Sequence, residues 1–186
     1  NETQKISDIE RHIKTFDLSV IGSGNTISSS TYYCIGFSKN DAASNAPTIN
    51  IFPAQPASNN DLVIADYSQT GNTEYSTAIS FADFSTTATN TFPMKTAAIN
   101  QMQADIAGVF RFSTKGNNDV SSTTPLFAVA DTKMNCSNAD NATANLRPKL
   151  TITYTGAATA VPRRPPIIWF TTSLLDKLFN MAWAKN

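Results

Sequence analysis

Residue types that could do nucleophilic chemistry are sparse in this chain, which holds one histidine, His12, and two cysteines, Cys34 and Cys136. Cys34 with His12 as its base would make a thiol nucleophile. Cys34 lies in an apolar run, however, where burial would raise rather than lower the pKa of its thiol. A serine hydrolase would need His12 and a Gly-x-Ser-x-Gly turn, which the sequence lacks. We therefore expect no catalytic residues and no enzymatic activity.

The two cysteines leave two structural alternatives open. They would form one disulfide if the protein is exported. They would stay free thiols if they are simply small buried side chains, which is common for cysteine. Cys34 belongs to a β-prone run, whereas Cys136 lies in a polar loop rich in Asn, Ser and Asp.

Acidic residues are scattered, so a pair of converging carboxylates for glycoside hydrolysis cannot be read from their spacing. They are Asp17, Asp41, Asp61, Asp66, Glu74, Asp83, Asp105, Asp119, Asp131 and Asp140. The loop 135–141 is rich in oxygen ligands but lacks the spacing of a known Ca²⁺ loop. A solvated loop is the favoured interpretation, and we expect no metal and no cofactor.

Exposed aromatic rings could serve as platforms for the apolar faces of sugars. The candidates for glycan contacts are Tyr32, Tyr67 and Tyr75, and each of them is equally consistent with packing in a core or at its rim. Both tryptophans, Trp169 and Trp183, lie near the C-terminus rather than among the predicted strands. This placement weakens the case for a sugar platform.

The composition points to a β-rich extracellular or virion protein. The 186 residues carry no formal net charge, and only 15% of them are charged. The chain therefore lacks the excess of positive charge that binding to nucleic acid requires. Thr suits a pleated surface, and the abundant Ser and Asn suit turns. The chain begins at Asn1, which we expect to reflect processing or truncation. No stretch reaches the ~20 apolar residues that a membrane span needs.

Short runs with period-2 alternation, separated by turn residues, predict about eight strands. The predicted strands cover residues 13–18, 26–38, 48–52, 77–84, 89–94, 106–113, 126–130 and 149–155. Helical turns are predicted at 60–67, with Asn60 as N-cap, and at 96–102, and polar loops at 117–125 and 134–145. The pattern predicts an all-β, jelly-roll-like antiparallel β-sandwich.

The predicted core takes the residues that alternation places on the inward face. These are Phe16, Ile27, Tyr33, Ile35, Ile49, Ile64, Ile79, Phe81, Phe92, Phe110, Phe112, Leu150 and Ile152.

The C-terminal part of the chain differs in character from the sandwich. Residues 157–166 predict a Pro/Ala linker, and 167–186 an apolar tail with a short amphipathic helix that starts near Ser173. The proposed assembly residues in this tail are Ile167, Trp169, Phe170, Leu174, Leu178, Phe179 and Trp183. An apolar stripe of this size is expected to be buried against another surface. A neighbouring subunit or another virion protein is favoured over the chain's own sandwich, and a membrane interface is the least favoured.

Residues 11–156 resemble a family of β-sandwich modules. The resemblance rests on an opening segment at 16–32, on Ile79-Ser80-Phe81 followed by Thr91-Phe92-Pro93-Met94, on Phe110-Arg111-Phe112, and on the closing strand that begins Arg147-Pro148-Lys149-Leu150. It resembles phage and bacterial surface structural modules that are related to DNRLRE-type carbohydrate-binding modules. The resemblance implies the sandwich fold for 11–156, with 1–10 as an N-terminal arm and the tail as an addition.

These observations together predict a non-enzymatic virion or extracellular structural protein, such as a capsid decoration, fibre or tail component. Its partners would be other copies of itself or other virion or surface structural proteins, and nucleic acid is not expected. The alternative is a carbohydrate-binding module for host or surface glycans.

Overall fold

The computed structural model describes residues 10–124 and 131–156, together with the backbone of 167–171. Strands dominate this part of the chain. They are β1 (His12–Asp17), β2 (Thr26–Asp41), β3 (Thr48–Pro53), β4 (Ile79–Ser80), β5 (Thr89–Pro93), β6 (Val109–Gly116), β7 (Thr132–Cys136), β8 (Lys149–Thr155) and β9 (Ile167–Thr171). The α-helices are α1 (Thr96–Ala104) and α2 (Asn117–Val120), and single 3-10 turns cover Ser19–Ile21, Ile64–Ser68 and Ala144–Leu146. None of the helices in the described ranges is long and apolar enough to cross a membrane.

The strands form two antiparallel sheets. The first has the order β1-β6-β3-β4, and the second has the order β5-β2-β8-β9, with β7 also paired to β2. The prediction of an all-β sandwich is thereby confirmed, whereas a jelly-roll connectivity stays a prediction. β2 organises the second sheet, because its 16 residues pair with β5, β7 and β8.

Aromatic side chains from both sheets fill the core. Phe112 of β6 stacks on Phe16 of β1 with ring centroids 5.7 Å apart, and Tyr32 of β2 meets Phe112 edge to face at 5.0 Å. Such pairs add about 0.5–1.5 kcal/mol each beyond the burial of their surface. Among the predicted core residues, the following are buried: Phe16, Ile27, Phe92, Phe110, Phe112, Leu150 and Ile152. Ile49 and Ile79 are partly buried and pack against this cluster.

The predicted inward face of β2 is right at Ile27 but wrong after it, because Tyr32 and Cys34 are buried while their neighbours Tyr33 and Ile35 are only half-buried. The cause is a register shift between Ile27 and Ser29 in the pairing with β8. An extra residue in a strand moves every following side chain to the opposite face. Alternation counted from Ile27 therefore gives the wrong face for the rest of the strand.

The predicted helical turn near residue 60 is shifted towards the C-terminus. The 3-10 turn Ile64–Ser68 follows Val63, and Asn60 is not its N-cap. The turn is held by the buried carboxylate of Asp66, which accepts hydrogen bonds from the backbone N–H of Val63 at 2.9 Å and of Ala57 at 2.8 Å. Ile64, a predicted core residue, is 97% exposed on this loop, so its core assignment is wrong.

Other element boundaries differ from the prediction. In the predicted strand 77–84 only Ile79–Ser80 is a strand, and Phe81 begins a turn and is half-buried rather than in the core. The predicted turn near 96–102 is a nine-residue helix, α1. Residues 132–136 form β7, although 134–136 were predicted to be loop. The predicted strand 126–130 and the predicted helix from Ser173 lie outside the described residues.

Candidate functional site

A cavity of about 480 Å³ opens between the two sheets, near the start of β1 and the end of β7. The first sheet contributes His12, Lys14 and Thr114 to its wall, and the second contributes Cys34 and Cys136. The volume lies within the range of about 300–1,000 Å³ that is typical of small-molecule sites. Because it gathers cysteine, lysine and histidine side chains, this cavity is the candidate functional site.

β1 positions two of these groups by simple alternation. His12 and Lys14 share the strand face of Phe16, since side chains two residues apart point the same way. The register places His12 opposite Thr114 and Lys14 opposite the core residue Phe112. The β1 face therefore runs from His12 at the cavity mouth, through Lys14, to the aromatic core at Phe16.

The pairing of β2 with β7 brings the two cysteines together. Cys136 lies opposite Gly36, and Cys34 is two residues away on the same face of β2. The two thiols are free and hydrogen-bonded to each other. Of the two alternatives that the sequence leaves open, the structure therefore shows free thiols, placed side by side.

The two thiols differ in acidity. The hydrogen bond with Cys136 and then burial raise the pKa of Cys34 far above its ordinary value. The hydrogen bond from Cys34, with the positive charge of Lys14 as a lesser cause, lowers the pKa of Cys136 in spite of burial. Cys136 is thus the thiol that ionises first, and a lowered thiol pKa is what nucleophilic or redox chemistry requires.

Lys14 is the lysine in the wall of this cavity. Burial lowers its pKa, while the nearby sulfurs of Cys34 and Cys136 act in the opposite direction. In the described part of the chain the ammonium group makes no hydrogen bond and no salt bridge. Lys14 is not among the site residues predicted from the sequence, although its position two residues before the core residue Phe16 places a lysine on an inward face.

His12 occupies the mouth of the cavity. Its side chain is 61% exposed, and Nε2 lies 3.5 Å from the Glu10 carboxylate. Burial, followed by the charge of Lys14, lowers its pKa, and Glu10 opposes this. The structure brings His12 and Cys34 to the same cavity, as a nucleophile–base pair would require, but the more acidic thiol is Cys136.

Tyr32 also lines the cavity, and its ring is 1% exposed. Its hydroxyl group is buried without a hydrogen-bond partner among the described residues. Burial raises the pKa of this phenol well above its ordinary value, and the nearby Cys34 and Cys136 act in the same direction. The hydroxyl is therefore a neutral donor at neutral pH.

The predicted glycan contacts fall in three separate places. Tyr32 and Tyr75 are buried, Tyr75 being stacked on Phe110 at 6.0 Å, so their expected role as surface platforms is wrong. Tyr67 is 44% exposed on the 3-10 turn Ile64–Ser68. The Arg11 guanidinium covers one face of its ring at 3.9 Å and is itself paired with Asp119 at 2.6 Å.

Part of the predicted assembly tail is described as a strand. The backbone of β9 pairs with β8 in antiparallel register, with Ile168 opposite Ile152. This strand contains Ile167, Trp169 and Phe170 of the predicted assembly residues. The remaining four, Leu174, Leu178, Phe179 and Trp183, lie outside the described residues.

Within the described ranges, His, Cys, Asp and Glu side chains do not come together in groups of three or more that would suit a metal ion. In the oxygen-rich loop 135–141, the backbone N–H of Ser137 donates to the Ile35 carbonyl at 2.8 Å. The side chain of Asn141 lies 3.5 Å from the Ser137 hydroxyl. These contacts fix the loop against β2 and the cavity.

The predicted kinship of residues 11–156 with phage and bacterial surface modules rests on packing and turn residues. Such residues specify a fold more than a function. The sandwich agrees with the fold that the resemblance implies, and the family itself stays a prediction. No family model matches this chain, and neither the curated proteins nor the solved structures include a match to it.

Proposed function

We propose that this chain is a non-enzymatic structural protein of a virion or an extracellular assembly, and that its C-terminal tail mediates assembly. Its partners would be further copies of the chain or other structural proteins of the same particle or surface. The observation that carries the proposal is the addition of β9 to β8, which extends the second sheet with a segment from the tail.

Strand addition at a sheet edge is a common way to join protein chains. An exposed edge strand presents unpaired backbone N–H and C=O groups that bind another strand. β8 has such an edge on the side away from β2, and β9 occupies it. The segment that adds there is apolar at four consecutive positions, Ile167 to Phe170, a pattern typical of strands covered on both faces.

The connection between the two strands also fits exchange between copies. Residues 156–166 separate β8 from β9, which is far longer than the two to five residues that are usual in a hairpin. A connection of this length and proline content can extend away from its own sandwich. In the proposed assembly, β9 of one copy occupies the β8 edge of a neighbour.

Removal of the tail tests this proposal. We expect the full chain to form defined oligomers in mass photometry and sedimentation, and a 1–160 truncation to be monomeric with its β-sheet circular dichroism intact. Ile168→Pro in the full chain should act like the truncation, because proline removes a backbone donor in a strand that pairs with β8. Ala158→Pro is the matched control, since the connection already contains Pro162, Pro165 and Pro166.

The experiment has a clear contrary result. If the truncated chain and Ile168→Pro assemble as the full chain does, the tail is not the assembly device. If both variants lose their circular dichroism signal, β9 completes its own sandwich rather than a neighbour's.

A carbohydrate-binding module is the second candidate, and Tyr67 is the observation that favours it. One face of its ring is held by Arg11, which fixes the orientation of a ring that remains 44% exposed. A ring fixed in this way suits stacking on a sugar. We expect Tyr67→Ala to abolish binding on a glycan array, whereas the core variant Tyr75→Phe should leave it unchanged. Binding that is equal in wild type and Tyr67→Ala would remove this candidate.

A further inference from the structure

The pairing of β7 with β2 decides how the two cysteines face each other. Gly36 lies directly opposite Cys136, and residues that lie opposite each other point to the same face of a sheet. Cys34 is two residues before Gly36, so its side chain points to that face as well. The bulge in this pairing lies between Gly36 and Ser38 and leaves the alternation from Cys34 to Gly36 intact. The two cysteines are therefore diagonal neighbours on adjacent strands.

Neighbouring contacts hold Cys136 in this position. The backbone N–H of Ser137 donates to the carbonyl of Ile35 at 2.8 Å. This bond joins the residue after Cys136 to the residue after Cys34. Because Gly36 has no side chain, the residue directly opposite Cys136 does not separate it from Cys34. Both cysteines belong to or pack against the same hydrophobic cluster, both line the same cavity, and the hydrogen bond between their thiols agrees with this arrangement.

A disulfide between diagonal neighbours would be strained. Their Cα atoms are about 7–8 Å apart, whereas a disulfide usually spans about 4.4–6.8 Å between its Cα atoms. To form the bond, β7 must move towards β2 by roughly an ångström. β7 is a five-residue strand that, in the described part of the chain, pairs with β2 alone, so few contacts oppose this movement. Because strained disulfides are easily reduced, the pair suits reversible oxidation better than a permanent cross-link.

The cavity gives one of the two thiols access to small molecules. Cys136 is half-buried in the cavity wall, whereas Cys34 is only 2% exposed. Cys136 is also the thiol whose pKa is lowered, chiefly by the hydrogen bond from Cys34. Position along β7 matters here, since Lys133 of the same strand pairs with Asp131 at 2.8 Å and does not line the cavity. The thiolate is the attacking form in thiol–disulfide exchange, so Cys136 is the residue that reacts first.

We propose that Cys34 and Cys136 are a reversible thiol–disulfide pair that is oxidised by small-molecule disulfides and that ties β7 to β2 when oxidised. The Cys136 thiolate attacks one sulfur of the small disulfide, forms a mixed disulfide and releases one small thiolate. Cys34 then gives its proton to that thiolate and attacks the Cys136 sulfur, which releases the second half of the small molecule as a thiolate that takes up a proton from water. Two electrons pass from the protein thiols to the small disulfide, which becomes two small thiols.

The free thiols and the disulfide that the sequence leaves open are then two states of one pair. The pair is independent of the assembly proposal, because both cysteines lie in the sandwich and the tail 167–186 contains no cysteine.

Exchange with glutathione in the full chain tests this pair. Reduced protein is incubated with oxidised glutathione, the reaction is quenched with acid, and the mass of the intact protein is measured. Because the chain holds only two cysteines, the mass distinguishes free thiols, a mixed disulfide and an internal disulfide. Electrophoresis without reductant verifies that the bond lies within one chain. We expect the internal disulfide to form in the folded protein and to return to free thiols in an excess of reduced glutathione.

Two single variants separate the roles of the thiols. In Cys34→Ser the second attack is impossible, so the mixed disulfide at Cys136 should accumulate. In Cys136→Ser the remaining thiol is buried, and we expect it to react at least about tenfold more slowly than the thiol of Cys34→Ser. Circular dichroism verifies that each variant is folded. In urea, where burial is lost, the two variants should react at similar rates, which makes the unfolded state the matched control.

Three results would overturn the proposal. The first is the absence of an internal disulfide when folded wild-type protein is exposed to an excess of oxidised glutathione. The second is a disulfide that resists an excess of reduced glutathione, since the bond would then be a permanent cross-link. The third is an equal rate of reaction for the two folded variants.

Discussion

Lys14 illustrates how much one charged residue can determine in a nearly neutral chain. Its position on an inward face follows from alternation with Phe16, so the sequence contained enough information to place it. The proximity of Lys14 to Cys34 and Cys136 could not be read from the sequence. It depends on β1 and β7 meeting across the two sheets, and no local pattern encodes that meeting.

The unequal acidity of the two cysteines leads to a prediction for alkylation. We expect iodoacetamide to modify Cys136 before Cys34 in the folded protein, because the thiolate is the reactive form and the pKa of Cys136 is the lowered one. A lowered pKa means that more thiolate is present at neutral pH, and the rate should rise with pH until Cys136 is fully ionised. Peptide mass spectrometry at timed intervals measures the order and the rate.

Lys14 supplies the test of the cause. Lys14→Met should raise the pKa of Cys136 and slow its alkylation at neutral pH, whereas Lys133→Met should leave the rate unchanged. Unfolded protein, in which the two thiols are equivalent, provides the reference. Faster modification of Cys34 in the folded protein would contradict the assignment.

Individual elements differ in how well their sequence predicts them. β8 was predicted residue for residue, because Pro148 precedes it and Leu150, Ile152 and Tyr154 alternate with polar residues. β2 was located correctly, but its inward face was not, since the bulge after Ile27 leaves no mark in the alternation. Residues 134–136 of β7 were predicted as loop because this segment is largely polar, and the pairing of β7 with β2 decides its conformation.

Gly36 is the residue that allows β2 to pass beneath the segment after β4. A Cβ atom at this position would lie 2.2 Å from the Ser85 carbonyl oxygen and 2.7 Å from the Phe84 ring, and both contacts are too close for real atoms. Phe84 is fully buried, so its ring has little room to move. We expect Gly36→Ala to lower the free energy of unfolding by about 1–3 kcal/mol or more, measured by urea denaturation.

Gly108→Ala is the matched control for this prediction. The nearest atom to its added Cβ would be 3.8 Å away, an ordinary contact distance. That substitution should change stability by less than about 1 kcal/mol, since the methyl group meets no obstacle. Equal effects of the two substitutions would show that the close packing of β2 against the Phe84 segment is not what requires glycine.

At the scale of the whole molecule, composition and turn spacing were enough to predict the fold class. Many short β-prone runs with Ser, Thr and Asn at the turns have few alternatives to a sandwich. The order of the strands was not predicted, because each sheet is built from segments far apart in the chain. The cavity depends on that strand order, so it could not be predicted from the sequence.

The pairing of distant strands also bears on how the chain reaches its native state. Thr26 at the start of β2 pairs with Thr155 at the end of β8, and His12 pairs with Thr114. Closing such long loops carries an entropic cost before any contact repays it, and sandwiches of this kind fold on the order of milliseconds to seconds. During synthesis, β1 and β2 leave the ribosome long before their partners exist. The nascent N-terminal half therefore exposes unpaired strand edges, which can aggregate until β8 has been synthesised and pairs with β2.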